Sequence, residues 1–547
     1  MPIDSTRPWL SQYSRAFAPA EALAWNSSLA LLLQDAAEHS PQAVAVLGDK
    51  TLTYADLYAQ ARHFASGLER LNFGQGCKIA LMLPNMPEAL IAFWGITLLG
   101  GIIIMVNPLY KEKELVANLN NAGAEALVLY APLYPKIAPY LSRLPIRLCI
   151  LSDDTPHKTD SLLPWRAVME NDGIFTEPKG ICGETTLLLQ YTGGTTGTSK
   201  GVELTHGNMG ANALQTKHFF NLSPEDHHIF LSILPFFHVY GLSLGIIEPV
   251  AIHAATLPLI RFDPRETLKT IARFKPTIFP SAPAMYISLL QQKDLAHYDL
   301  KSIRMCFSGS APLPHEIFKR FHEVTGAAIL EGYGLTEASP ITHFMPPGTE
   351  GTRERSIGIP FPGTDARIVD MEAGSLTLEP EKKGELVVRG PQVMKGYLNN
   401  PDETASAIRN GWLYTGDIAV MDKDGFFYIV DRKKDMIIVG GYNVFPREVD
   451  EVLLEHPKIL EAVSVGFDDP LRGEVLKAYI VPKPGETINR SEIVSFCRAR
   501  LASYKVPRHI EFRDSLPRSL VGKILRRYLR EEEEAKRRQA EEKKSSQ

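Results

Sequence analysis

The stretch TTLLLQYTGGTTGTSKGVELTH, Thr185–His206, sets glycine, threonine and serine, closed by Lys200, between two segments with strand composition. TTLLLQY and GVELTH lie so near each other in sequence that the loop YTGGTTGTSKG, Tyr191–Gly201, sits at a hairpin and not at a strand-to-helix junction. Its glycines let backbone N–H groups turn towards an anion, its hydroxyls add donors, and Lys200 adds a positive charge. The order Ser-Lys-Gly excludes a Walker A loop, which requires Gly-Lys followed by Ser or Thr. A solvated Gly/Thr turn is the bland alternative. Four Gly, five Thr/Ser and one Lys with no Asp, Asn or Pro are unusual in such a turn, which favours phosphate binding.

Outward from this loop the chain alternates strands and helices. KIALMLPN, IIIMVNP, ALVLYAP and LCILSD are short apolar strands, KEKELVANLNNAG is helical, and a helix from Tyr54 carries Leu57, Ala61, Phe64 and Leu68 on one face. This predicts an α/β fold: a large N-terminal domain of several subdomains with a largely parallel sheet. After the loop, HHIFLSILPFFHVYG, PTIFPSAPAMYISLL and RMCFSGSAPLP each run an apolar strand into a Pro-, Gly- or Ser-rich turn, the place where α/β folds bind ligands. His238 lies in the first of these turns; read alone, it is a packed core histidine. AAILEGYGLTEAS, Ala327–Ser339, offers glycines for close approach of a flat ligand, Tyr333 for stacking, and Thr336 with Glu337 as oxygen ligands suited to Mg²⁺ on phosphates. A tight turn before a polar helix start fits EGYGLTE equally well.

Asp417, in YTGD, is a turn carboxylate able to accept two hydrogen bonds from a ribose diol, or a plain solvated aspartate. The charged run DRKKD, Asp431–Asp435, interrupts an apolar strand pair and reads as an exposed turn or as an interdomain linker. The domains are therefore expected at 1–431 and 432–547, with a hinge near 431–435. The second is a small separate α+β domain ending in a charged tail, from Arg530, that reads as a solvated or frayed helix.

With 547 residues, the chain exceeds one core. A net charge of −4 with interspersed signs gives no electrostatic ground for a nucleic-acid partner. Cys77, Cys149, Cys182, Cys306 and Cys497 lack CxxC spacing and are expected to be buried, reduced thiols. The N-terminus shows no secretion signal. Ala89–Val106 is uncharged and approaches membrane-spanning length, but Gly100-Gly101 divides it into a helix and a strand.

Taken in order, YTGGTTGTSKG, PFFHVYG, SGSAPL, EGYGLTE, YTGD, the DRKKD run with GGYNVFPREVDE, and VGKILRR resemble the adenylate-forming superfamily of acyl-CoA synthetases, luciferases and peptide-synthetase adenylation domains. The resemblance covers nearly the whole chain. VNPLY, DRKKDMI and the Trp9/Tyr13 segment are most like bacterial long-chain fatty-acid–CoA ligases.

The resemblance implies ATP-dependent ligation of a fatty acid to CoA through an acyl-adenylate, with ATP, Mg²⁺ and CoA. Its alternatives are an aryl-CoA (4-coumarate-type) ligase or an acyl-AMP ligase loading a carrier protein. Thr192, Gly193, Gly194, Thr195, Thr196, Gly197 and Lys200 would hold the β- and γ-phosphates. Ser310, Ala311, Pro312, Glu331, Gly332 and Tyr333 would form the adenine pocket. Thr336 and Glu337 would meet the α-phosphate, with Thr196 and Glu337 on the metal. Asp417 and Arg432 would bind the ribose, and Lys523 would bridge the acid and the α-phosphate. His238 and Lys200 join them in the catalytic set. The small domain would swing about Lys434, bringing Gly441, Tyr442 and Asn443 to the site. Ile438 stands where luciferase and some aryl-CoA ligases carry Lys, so that residue's role does not transfer. A cytoplasmic location follows, with peripheral membrane association and a homodimer left open.

Overall fold

Apolar strands alternating with amphipathic helices build two sheets in the first part of the chain. The computed structural model describes residues 7–13, 23–154, 161–192, 199–311, 313–349, 353–439, 442–469, 473–519 and 524–545. Packing divides the chain into two units, 1–366 with 388–413 and 367–387 with 414–547. Asp431–Asp435 lies inside the second unit and not at this division.

In the first unit an eight-stranded sheet runs Gly396–Tyr397, Lys200–Thr205, Thr186–Thr192, Ile102–Met105, Lys78–Met82, Ala126–Leu129, Leu148–Leu151, Leu162–Pro164. From Thr186–Thr192 to Leu162–Pro164 every pairing is parallel, and these strands are mostly buried, as their continuous apolar sequences require. Thr186–Thr192 and Lys200–Thr205 pair antiparallel with Thr192 opposite Lys200, so the loop does sit at a hairpin. The nine-stranded sheet has Ala328–Gly334, Met305–Ser308, Ile278–Ser281, Ile229–Ser232, Ala255–Pro258 and Val44–Val46 as its parallel body.

Helix Tyr54–Arg70 starts in a capping box, with Thr53 and Asp56 satisfying each other's backbone N–H, and buries Leu57, Ala61, Phe64 and Leu68 completely. Ala89–Val106 resolves into helix Pro87–Leu98, a turn with Gly100 at φ +70°, and strand Ile102–Met105. Among the described residues no helix is long and apolar enough to cross a membrane. Behind PFFHVYG, a helical run passes from Val239–Leu242 through a π-helical turn, Ser243–Ile247, into Glu248–Ala251. Glu248 is 2% exposed, both its carboxyl oxygens lack a partner among the described residues, and burial pushes its pKa up to about 8.

In the second unit Asp417–Met421, the latter half of strand Trp412–Met421, pairs antiparallel with Phe427–Arg432. A further sheet runs Tyr442–Val444, Ile437–Val439, Gly473–Pro482, Ile459–Asp469, with His509–Phe512 parallel to Gly473–Pro482. The period of two in GEVLKAYIVP sends Leu476, Ala478 and Ile480 to one core with Val449, Leu453 and Ile493. Tyr479 and Val481 go to the other, with Val463, Val465, Leu516 and Leu529.

Leu529 belongs to helix Arg526–Ser545, which from Arg530 onward the sequence marks as a solvated or frayed tail. Its base is anchored instead: Lys477, 8% exposed, bridges Glu511 and Glu533 at 2.7 Å each, and Arg513 reaches Glu532 at 2.6 Å. The expectation of five buried thiols also needs correction. Cys182 is exposed, because it lies in the turn ahead of Thr186–Thr192 with Sγ against Thr185, while the other four cysteines are buried.

Candidate nucleotide site

The Gly/Thr hairpin delivers Lys200 to a partner from a distant part of the chain. Residues 193–198 lie outside the described residues, and with them the expected contributions of Gly193, Gly194, Thr195, Thr196 and Gly197. At the loop's base Ser199 Oγ donates to Thr192 O at 2.8 Å. The short strand Gly396–Tyr397 pairs with Lys200–Thr205, and helix Pro401–Ala407 follows, capped by Asn400. This brings Glu403 Oε2 within 2.5 Å of Lys200 Nζ and the Tyr397 ring centroid within 5.1 Å of it. The Tyr397 hydroxyl donates to Glu337 Oε1 at 2.9 Å. Burial, reinforced by the Glu337 carboxylate, pushes the Tyr397 phenol well above its usual range, so it stays protonated and remains a donor. Cation, ring and carboxylate thus form one continuous group, Lys200–Tyr397–Glu337, flanked by Glu403.

Glu337 lies in the single 3₁₀ turn Thr336–Ala338 after strand Ala328–Gly334, and both Thr336 and Glu337 are half-buried. Glu331, within strand Ala328–Gly334, is the register partner of the strand-end Ser308, and its Oε2 accepts from Leu313 N at 3.1 Å. Ser310 takes the left-handed conformation, φ +71°, next to the half-exposed Ala311, while Pro312 lies outside the described residues. Tyr333 is half-buried, its ring 6.0 Å from that of His343.

The glycines of EGYG have a different cause from the ligand access read from sequence. A Cβ on Gly332 would meet the Phe344 ring at 2.4 Å, and one on Gly334 would meet Pro340 O at 2.1 Å, so the chain's own antiparallel neighbour requires both. His238 is half-buried; its Nδ1 accepts from Tyr240 N at 3.3 Å and caps helix Val239–Leu242.

Two residues that the sequence reading did not single out, Ser281 and Ser232, end the two parallel strands that follow, in sheet order, the one that Ser308 ends. Ser232, Ser281 and Ser308 have buried hydroxyls without a partner among the described residues. Hydroxyls stranded at carboxyl ends of parallel strands mark a polar-lined place where ligands enter such sheets. Tyr397 and Glu403 were also missed; the start signal NPDE, a capping Asn before Pro with a Glu three residues on, pointed to the helix that carries Glu403.

The second unit holds its own group. Asp417 and Arg432 are register partners, with Arg432 Nε 3.5 Å from Asp417 Oδ1. Gly416, at φ +72°, turns the chain so that its N–H meets Glu385 Oε1, whose Oε2 holds Lys433 at 2.8 Å. Lys434 is exposed in the turn Lys433–Asp435. Tyr442 is 59% exposed and stacks on Tyr504 with centroids 4.5 Å apart, and Asn443 is exposed beside it. Ile438, also exposed, donates its N–H to Glu474 Oε2 at 2.7 Å. Gly441 and Lys523 lie outside the described residues. Among the described residues no three His, Cys, Asp or Glu side chains gather as a metal cluster.

Comparison with known proteins places these groups in context. The family profile described as AMP-binding enzyme matches residues 33–398, and that of the AMP-binding enzyme C-terminal domain matches 448–523. The long-chain-fatty-acid–CoA ligase of Bacillus subtilis strain 168 is 43% identical, over 97% of this chain and 99% of that protein. The enzyme of the same name from Escherichia coli O157:H7 is 35% identical over 96% and 98%. Among solved structures, ATP-bound MatB from Rhodopseudomonas palustris superposes with TM-score 0.83 at 28% identity, covering 92% of this chain and 98% of that one. The o-succinylbenzoate–CoA synthetase MenE from Bacillus subtilis, in complex with its acyl-adenylate intermediate, gives 0.79 at 29% identity, covering 91% and 97%.

Proposed function

The chain belongs to the AMP-binding enzyme family, and on that premise we propose that it joins a long-chain fatty acid to CoA at the expense of ATP, through an acyl-adenylate, releasing pyrophosphate and AMP. The observation that carries this reading is the Lys200–Tyr397–Glu337 group at the base of the Gly/Thr hairpin. It sets a cation at the end of an anion-binding loop, one aromatic ring away from a carboxylate on a strand-end turn.

The first half-reaction joins two anions, the acid's carboxylate and the α-phosphate, so positioning and charge neutralisation dominate it. Thr192–Lys200 receives the β- and γ-phosphates and holds the departing pyrophosphate. Ser310, Ala311, Pro312, Glu331, Gly332 and Tyr333 flank the adenine, while Asp417 and Arg432 take the ribose hydroxyls. Lys523 neutralises the charge that builds up where carboxylate and α-phosphate meet. Thr336 contacts the α-phosphate, and His238 belongs to the catalytic set.

A lone carboxylate such as Glu337 fits Mg²⁺ held mainly by a nucleotide's phosphates, whereas a dedicated all-protein cage needs more ligands than the described residues bring together. Glu337, with Thr196, would hold that ion, which neutralises phosphate charge when bound. In the second half-reaction the chain pivots at Lys434, withdrawing Lys523 and presenting Gly441, Tyr442 and Asn443 to the CoA thiol. The parts that exchange position are accordingly 1–431 and 432–547, a boundary distinct from that of the two packing units. Five cysteines without a disulfide suit a reducing cytoplasm.

Pyrophosphate release and thioester formation, measured on aliphatic and aromatic acids with and without CoA, test the reading. Hexadecanoyl-CoA is the expected product. Absence of thioester from every fatty acid overturns it, and a product formed only from aromatic acids assigns the aryl-CoA alternative.

A further inference from the structure

Residues 233–238 lie between strand Ile229–Ser232 and helix Val239–Leu242, so the turn that carries His238 has no sheet ladder of its own. Its buried backbone groups need partners from elsewhere. Two amide side chains of the eight-stranded sheet supply them. Asn85, just after strand Lys78–Met82, donates through Nδ2 to Ser232 O at 2.9 Å and Leu234 O at 2.8 Å, and its Oδ1 accepts from Phe236 N at 2.9 Å. Gln190, within strand Thr186–Thr192, donates through Nε2 to Phe237 O at 2.8 Å. Asn85 is 3% and Gln190 6% exposed, so water does not compete for these bonds.

The far side of the turn is closed by its own helix. His238 N donates to Pro235 O at 3.0 Å, and a Cβ on Gly241 would lie 2.3 Å from Pro235 O and 2.6 Å from Leu234 O. His238 Nδ1 accepts from Tyr240 N, which places the proton of the neutral ring on Nε2. Tyr240 is held in turn, its hydroxyl donating to Phe307 O at 3.3 Å. The backbone beside the imidazole therefore sets its tautomer, and the two amides set that backbone.

Gln190 also stands two residues before Thr192 on the same face of the strand, and Thr192 pairs with Lys200 across the base of the Gly/Thr hairpin. One side chain thus joins the turn of His238 to the strand that opens the loop. Gln190 Oε1 is buried without a partner among the described residues. An acceptor left open in the core costs stability, so the amide is placed there for its donor.

We propose that Gln190 is a positioning residue that, with Asn85, fixes His238 relative to the base of the Gly/Thr hairpin, so that both meet one substrate complex in register. This rests on the reading of His238 as a member of the catalytic set and of the hairpin as the phosphate loop. Fixing two groups relative to each other acts on rate more than on nucleotide affinity.

The test uses the full-length protein, Gln190→Met, Asn85→Asp, His238→Ala, and each amide change combined with His238→Ala. ATP–pyrophosphate exchange with hexadecanoate gives kcat and KM, and thermal melting reads folding. Gln190→Met keeps the length and removes the donor. Its exchange kcat is expected to fall roughly tenfold, with the KM for ATP within about threefold of wild type. In the His238→Ala background the same change is expected to cost less than about twofold, because a residue that acts through His238 has nothing left to position. Asn85→Asp keeps the acceptor for Phe236 N, loses both donors, and is expected to show the same dependence; it decides the matter if Gln190→Met melts without cooperativity. Equal losses with and without His238, or an unchanged kcat in the amide variant, overturn the positioning role. Loss of cooperative melting in both amide variants overturns it too, since the amides then serve the fold. Full exchange in His238→Ala overturns the reading of His238 and this proposal with it.

Discussion

The Tyr397 hydroxyl donates to Glu337 Oε1 at 2.9 Å while Lys200 Nζ stands 5.1 Å from the centroid of the same ring. One side chain therefore orients the carboxylate and faces the cation. Tyr397→Phe keeps the ring and removes the hydrogen bond. Adenylate formation is expected to slow by about tenfold, and stability to fall by about 1 kcal/mol, the usual net worth of such a bond. Exchange kinetics and chemical denaturation measure the two; unchanged exchange would show that Glu337 needs no orienting partner.

Glu403 holds Lys200 at 2.5 Å but is itself 45% exposed on its side chain, so solvent screens the pair. Glu403→Gln is expected to cost under about 1 kcal/mol of stability. Its effect belongs to nucleotide binding, because the carboxylate competes with phosphate for the same ammonium. ATP affinity should rise in the variant, read by isothermal titration with a non-hydrolysable analogue, and a fall would contradict that competition.

Asp417 sits 3.5 Å from Arg432 with its side chain 12% exposed. Asp417→Asn removes a charged acceptor while keeping the shape. Hydrogen bonds to charged groups are worth about 1.5–3 kcal/mol, so the KM for ATP is expected to rise by roughly one to two orders of magnitude. A 2′-deoxy nucleotide should lose less on the variant than on the wild type, and equal losses would remove Asp417 from the ribose.

Glu248 gives the protein a pH response unrelated to the nucleotide site. Its pKa rises from 4.5 to about 8 on burial, so between those values the folded state holds a proton that the unfolded chain releases. Stability therefore falls as pH increases across that window, by up to about 1.4 kcal/mol per pH unit, and levels off above it. Glu248→Gln should flatten the slope and melt higher than wild type at pH 8. Parallel slopes in melting curves from pH 5 to 8 would show that the carboxyl is not neutral in the fold.

Local pattern sufficed for much of this architecture. The apolar runs around residues 78, 102, 126 and 148 became parallel strands, and the brevity of the link between TTLLLQY and GVELTH exposed the hairpin. Tyr397 and Glu403 escaped because Glu403 meets Lys200 across 203 residues of sequence, and a two-residue strand leaves no periodicity to read. Likewise the stretch REEEEAKRR registers charge without showing which charges are paired beneath the helix, so the bridge from Lys477 to Glu533 stayed hidden. The glycines of EGYG were located, but their necessity comes from Phe344 and Pro340, which only the folded chain brings near.

The second packing unit is made from two separate pieces of chain, 367–387 and 414–547. Side-chain bonds join them: Thr415 Oγ1 to Leu386 O at 2.7 Å, Tyr414 OH to Gly374 O at 2.6 Å and Lys433 Nζ to Glu385 Oε2 at 2.8 Å. A C-terminal fragment begun at residue 432 would leave the shorter piece, and Glu385 with it, behind. For recombination between relatives the exchangeable part is thus discontinuous, and a graft that follows the packing has three junctions, after residues 366, 387 and 413.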